Sequence, residues 1–178
     1  MWIYLDTPEV YHIADLMDYR GFLRALPILV QSHDFLAFSS YGVRCFDSDG
    51  NREDRSGRLR PDIREFFELH QLPPDSTILE ERKTLEMYYL DEHPDSFAVL
   101  WPADPGLLGE LDEKLADSTD YSEFCDHVMG YGSRGELFCF HDAFSGGDLV
   151  VSTRVPQTQV AKFCGLLGVT YTIAPYDT

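Results

Sequence analysis

The chain has 178 residues, of which 44% are hydrophobic and 13% aromatic, and it carries a formal net charge of −17. This length favours one domain. The apolar content is enough to form a hydrophobic core without disulfides or bound metal ions, which excludes a disordered chain. The negative charge repels nucleic-acid phosphates and anionic membranes, so we expect neither as a partner, and it suits a basic protein.

Prolines and capping residues mark where the predicted helices begin. Asp104 precedes Pro105, for example, in the order typical of a helix cap and a first helical residue. Apolar residues then recur at helical spacing. Pro27 interrupts a helical pattern within 20–34, which leaves that segment ambiguous. The predicted helices cover 7–17, 60–70, 104–117, 120–129 and 155–168.

Short apolar runs between the helices predict strands, with turns at 91–96 and 142–148. The strands mostly follow one another, which favours an α+β fold with a mixed, mostly antiparallel sheet. About five helices would pack against this sheet in a single domain over residues 1–178. The predicted strands cover 2–5, 35–46, 84–90, 97–101, 136–140, 148–153 and 169–174.

The four cysteines and the first residues of the chain indicate a cytoplasmic protein. No two cysteines form a CxxC pair, so buried reduced thiols are expected rather than disulfides. The sequence begins with neither the basic nor the apolar region of a signal peptide. No apolar run is long enough to span a membrane.

An arginine-rich loop is predicted at 47–60, within the stretch FDSDGNREDRSGRLRP. Its alternating acids resemble a calcium loop centred on Gly50, but this alignment places Cys45 and Ser56 where an EF-hand requires acidic ligands. We therefore predict a turn followed by an exposed loop. Its arginines either neutralise the neighbouring acids or bind an anion, in which case the binding residues would be Arg52, Arg55 and Arg58.

The segment GYGSRG at 130–135 has the glycine spacing of a dinucleotide-binding loop. Such a loop leaves a strand and opens a helix, whereas here a predicted helix precedes the glycines and a predicted strand follows them. We interpret the glycines as a helix C-cap and a turn.

Two cysteine–histidine pairs raise the possibility of zinc. Cys125 and His127 would point in different directions on a helix, while Cys139 and His141 would share one face of a strand. This spacing matches no standard zinc site, so we expect no metal and no cofactor.

An acidic segment is the most specific feature of the sequence. Residues 91–130 contain 11 acidic residues and one basic residue, which gives −10 of the total charge of −17. Within it, an acidic helical segment is predicted at 104–130, with leucines on one side and acids on the other. The predicted partner-binding residues are Glu110, Glu113, Asp117, Asp120, Glu123, Asp126, Tyr121 and Trp101.

These observations predict a non-enzymatic protein that binds a basic partner, such as an inhibitor or immunity-type protein directed against a nuclease toxin. The alternative is a small hydrolase or anionic-ligand-binding enzyme that uses His141, Asp142 and Ser145 with the loop Arg52–Arg60. No nucleophile elbow accompanies Ser145, and catalytic triads converge in space rather than in sequence. The chain is expected to be a monomer or a homodimer.

Overall fold

A seven-stranded antiparallel sheet organises the described part of the chain. The computed structural model describes residues 7–40, 44–46, 52–54, 59–72, 97–118, 124–133, 135–140, 143 and 147–176. The strands are β1 Glu9–Ile13, β2 Phe35–Ser40, β3 Arg44–Phe46, β4 Arg52–Asp54, β5 Phe97–Pro102, β6 His127–Gly132, β7 Gly135–Phe140, β8 Leu149–Ser152 and β9 Thr172–Pro175. The large sheet has the strand order β5-β2-β6-β7-β8-β1-β9, and a separate two-stranded sheet pairs β3 with β4.

The described part of the chain contains four α-helices, compared with the five or so predicted. They are α1 Tyr19–Ala25, α2 Pro61–His70, α3 Pro105–Lys114 and α4 Gln157–Leu167, and a short 3-10 helix, Leu26–Ile28, follows α1. The predictions for α2, α3 and α4 are confirmed, because a proline at or next to the first turn and an apolar stripe specify each of them locally. The mixed α+β class is confirmed as well.

The sheet separates a large core from a small one. Side chains alternate along β2, so that Leu36 and Phe38 join the large cluster with the helices, while Ala37 joins the small cluster with Leu100 and Met129. All four helices contribute buried side chains to the large cluster, which places them on one face of the sheet. The fold therefore has a helical layer packed on a sheet.

Aromatic rings fill the large cluster. Phe38 lies 4.8 Å from Phe67 and 5.7 Å from Trp101, measured between ring centroids. Phe22 contacts Phe138 at 6.2 Å in an edge-to-face arrangement. Because such pairs add to the free energy gained from burial, they fix α1 and α2 on the sheet.

The helix predicted at 7–17 is wrong, since these residues contain β1. Val10 and Ile13 are spaced as on a helix face, but β1 pairs with β8 on one side and with β9 on the other. Both ladders require extended backbone, and the β-branched side chains favour it. Tertiary pairing thus outweighs the helix-like spacing of Val10 and Ile13.

The helix predicted at 120–129 is also wrong where it can be compared, because His127–Gly132 forms β6 between β2 and β7. The strand predicted at 35–46 is divided into β2 and β3. Strands β5, β7 and β8 match their predictions closely, and β9 matches in part. The strands predicted at 2–5 and 84–90, and the turn at 91–96, lie outside the described residues.

The glycines of GYGSRG lie in the β6–β7 hairpin rather than at a helix C-cap. Gly130 pairs with Phe138 in the ladder, and a Cβ atom at Gly130 would overlap the Phe138 ring. Gly135 has φ +111°, a conformation that favours glycine. The strand–turn–strand order is incompatible with a dinucleotide-binding loop.

Replacement of Gly130 by alanine tests this close packing. We expect Gly130→Ala to lower the free energy of unfolding by about 1–3 kcal/mol, because the Phe138 ring must move. The matched control is Gly109→Ala in α3, where an added Cβ meets no atom within 4 Å. There, alanine should raise stability by about 0.5–1 kcal/mol through helix propensity. Urea unfolding of both variants measures the difference, and equal stabilities would contradict the packing argument.

Candidate functional site

Helix α3 carries two of the predicted partner-binding residues, Glu110 and Glu113. Asp104 caps it by accepting a hydrogen bond from the Leu107 N–H at 2.9 Å. Leu108 and Leu111 are buried in the large cluster, and Leu115 continues this apolar stripe. Burial of this stripe leaves the polar residues of α3 on the remaining faces of the helix.

Asp112 lies at the edge of the buried stripe and is neutralised by α1. Its Oδ1 accepts a hydrogen bond from Arg20 Nε, and its Oδ2 accepts one from Arg24 Nε, both at 2.8 Å. Burial opposes ionisation of Asp112, but the hydrogen bonds from the two arginines outweigh it, so the pKa of this carboxyl is lowered. Asp112 therefore joins α1 to α3 and is not available to a partner.

Three carboxylates form the outward side of this helix and of the turn that follows it. Glu110, Glu113 and Asp117 are exposed, and their spacing of three and four residues places them on one side. We call this set the acidic face. Among the described residues, no basic side chain forms an ion pair with it. Lys114 Nζ instead lies 5.1 Å from the centre of the Phe66 ring.

The other predicted partner-binding residues are not gathered on this surface. Trp101 has 0% of its surface exposed and packs inside the large cluster, so the expectation that it anchors a partner is wrong. Asp126 is half-buried next to the start of β6, where its backbone bonds to Ser39 and Ala143. The remaining predicted residues, Asp120, Tyr121 and Glu123, lie outside the described residues.

The arginine-rich segment is described only at its borders. Arg52 lies in β4, where the structure gives the backbone path, whereas Arg55 and Arg58 lie outside the described residues. After the loop, Arg60 pairs with Asp62 at 2.7 Å, and Arg64 pairs with Glu68 at 2.9 Å. Arg60 and Arg64 therefore neutralise neighbouring acids, as one of the two interpretations expected. Anion binding by Arg52, Arg55 and Arg58 stays a prediction.

The residues of the hydrolase alternative, His141, Asp142 and Ser145, lie outside the described residues, and their role stays a prediction. Cys125, Cys139 and Cys164 are buried thiols that form no disulfide. Burial and the nearby charge of Asp126 raise the pKa of the Cys125 thiol well above its ordinary value, which disfavours the nucleophilic thiolate. No group of three metal-binding side chains occurs in the part of the chain that the structure describes.

A pocket that the sequence did not predict opens at one end of the sheet. It has a volume of about 320 Å³ and lies between the start of β2, the β6–β7 hairpin and the segment after β8. The local sequence signal for this pocket was the glycine spacing of GYGSRG, because a glycine in a strand often marks a place where a ligand or another backbone segment approaches closely. Its lining residues are Gln31, His33, Asp34, Gly132, Ser133, Leu137, Arg154 and Pro156.

Comparison with protein-family models, with curated proteins and with solved structures finds no match for this chain. Within the described residues, every helix is too short or too polar to cross a membrane.

The Asp112 clamp predicts a specific dependence of stability on pH. Because the folded pKa lies below the ordinary value of 3.8, the stabilisation is complete above about pH 4 and is lost as the pH falls through the folded pKa. Asp112→Asn should lower the free energy of unfolding by about 1–3 kcal/mol at pH 7. Urea unfolding from pH 7 to pH 2 should show this difference shrinking below pH 4.

The control for the clamp is Glu113→Gln, which removes an exposed carboxylate from the same helix. Its effect on stability should stay within about 0.5 kcal/mol. A loss equal to that of Asp112→Asn would indicate a general effect of helix charge and would contradict the clamp.

Proposed function

We propose that this chain is a non-enzymatic binding protein of the inhibitor or immunity type, which holds a basic protein such as a nuclease toxin against the acidic face. The supporting observation is the division of charge on α3. Asp112 is neutralised by two arginines, while Glu110, Glu113 and Asp117 are exposed without an ion pair among the described residues.

The position of these carboxylates is unfavourable for the helix itself. Glu113 lies in the last turn of α3, and Asp117 lies beyond its end, where the helix dipole disfavours negative charge. Helix stability therefore does not account for acids at this end. A surface that attracts a basic partner accounts for these acids, because complementary charge speeds association and excludes acidic competitors.

The helix also offers a rigid support for such contacts. Its N-terminus is capped by Asp104, its buried stripe packs in the large cluster, and its side is held by the Asp112 clamp. Side chains on a fixed helix lose less freedom on binding than side chains on a loop, which favours affinity. The net charge of −17 adds a long-range attraction for basic proteins.

Neutralisation of the acidic face tests this proposal. The variant Glu110→Gln/Glu113→Gln/Asp117→Asn should lose partner binding by about tenfold or more, mainly through slower association. Proteins from the source cells would be captured on the immobilised chain, eluted with a salt gradient and identified. Binding rates would then be measured with the purified partner. The interaction of the unmodified chain should weaken as salt rises.

The matched control carries the same chemical changes on other exposed acids, as Glu9→Gln/Glu65→Gln/Asp148→Asn. It has the same net charge, so it separates a local docking surface from general electrostatic attraction. The control should retain binding. Equal losses in the two variants, salt-independent capture, or the lack of any basic protein that distinguishes them would overturn the proposal.

A further inference from the structure

The large sheet ends at β9, and the outer edge of this strand is open in the described part of the chain. Strand β9 pairs with β1 on one side, and no described strand pairs with it on the other. Thr172, Ile173 and Pro175 are exposed. Because an open edge presents unpaired backbone N–H and C=O groups, it is a template for a further strand.

The ladder with β1 determines which backbone groups of β9 are already bonded. The Tyr176 N–H donates to the carbonyl oxygen of Pro8 at 3.1 Å, and the register places Ala174 opposite Val10. Hydrogen-bonded pairs alternate with non-bonded pairs along an antiparallel ladder. Counting back in steps of two from Tyr176, the backbone groups of Ala174 and Thr172 therefore point toward β1.

The alternate residues present their backbone to the outside. By the same alternation, the N–H and C=O groups of Tyr171 and Ile173 point away from β1. Pro175 also lies at an outward position, where it offers a carbonyl oxygen but no N–H donor. The open edge therefore provides donors at Tyr171 and Ile173 and a further acceptor at Pro175.

The segment that contains this edge is almost uncharged. Residues 155–176 include α4 and β9, and Lys162 is the one charged side chain among them, although the whole chain carries a charge of −17. Four large hydrophobic side chains are exposed in the described part of the chain, and two of them, Leu166 and Ile173, lie in this segment. Two copies of the chain would repel each other through their acidic surfaces but not through this one.

These features restrict the kind of partner that the edge fits. A basic protein finds no carboxylate in residues 155–176, and an acidic protein finds one lysine. A strand of the same sequence supplies the matching donors and acceptors when it runs antiparallel, because a twofold axis places each outward group opposite its complement. We propose that two copies of this chain form a dimer by pairing their β9 strands edge to edge, with the twofold axis at Ile173.

The position of Pro175 selects this register. With the axis at Ile173, the two Ile173 residues exchange N–H···O bonds, and the Tyr171 N–H of each copy donates to the Pro175 carbonyl of the other. An axis at Pro175 would place two residues without donors opposite each other. The Ile173 side chains, each 51% exposed in one chain, meet across the axis. The paired strands are short, so the dimer dissociates readily on dilution.

The proposal is independent of the acidic face, and its test uses the full chain. Sedimentation and light scattering from about 1 μM to 1 mM should show the molar mass rising from 20.4 kDa toward twice that value. The variant Glu110→Gln/Glu113→Gln/Asp117→Asn should form the dimer as the unmodified chain does. A failure of the proposed partner binding is therefore distinguishable from a failure of dimerisation.

Amide hydrogen exchange identifies the strand that pairs. The amides of Tyr171 and Ile173 should exchange about tenfold or more slowly at the high concentration than at the low one, because the second copy bonds them only in the dimer. The amides of Thr172 and Ala174 already bond to β1, so dimerisation should change their exchange much less.

Two variants of Ile173 test the edge in different ways. Ile173→Pro removes the outward N–H and leaves the bonds to β1, since proline is tolerated at the outward positions of an edge strand. Ile173→Lys keeps the N–H but places two like charges opposite each other at the axis. Each should raise the dissociation constant of the dimer by about tenfold or more. Thermal unfolding identifies any variant that is misfolded.

The matched control is Leu69→Lys, which makes the same chemical change at a side chain of α2 that is 74% exposed. It should leave the dimer intact, and an equal loss would assign the effect of Ile173→Lys to overall charge. A single-chain mass at 1 mM, or an unchanged dimer in folded Ile173→Pro and Ile173→Lys, would overturn the proposal. Protection of Tyr171 and Ile173 that does not depend on concentration would overturn it too, since a segment of the same chain would then occupy the edge.

Discussion

The register of β2 in the sheet is the constraint on which the rest of the described structure depends. Leu36 and Phe38 face the helices, and Ala37 faces the small cluster. Because β2 pairs with β5 on one side and β6 on the other, its register also decides which residues of those strands meet the helices. A shift by one residue would separate Phe38 from Phe67 and Trp101, and the support for α2 would be lost.

The same packing explains why the acids of α3 differ in their roles. Burial of Leu108 and Leu111 fixes the rotation of this helix on the core. That rotation brings Asp112 to the arginines of α1, where a nearly buried carboxylate must be paired. Glu110 and Glu113 then face solvent. All three residues count equally as acids in the composition. The packing of α3 on the core makes Asp112 part of the fold and leaves Glu110 and Glu113 on the surface.

The sequence predicted those elements whose signals are local, and it missed those that distant pairing decides. Val10 and Ile13 fit one side of a helix as well as a strand, and only the ladders with β8 and β9 distinguish the two. Trp101 alternates with Leu100 along β5, but the sequence does not tell which side of the sheet the helices cover. The pocket could not be predicted because Asp34 and Arg154, which both line it, are far apart in the chain.

The acidic residues of α3 depend on electrostatics in two different ways. The acidic face is exposed, so its attraction for a basic protein acts over a distance and is screened by salt within about 8 Å at physiological ionic strength. The charges of the Asp112 clamp are in direct contact and partly buried, where salt screens them much less. The same helix therefore carries one charge pair that supports the fold and one surface whose attraction varies with salt.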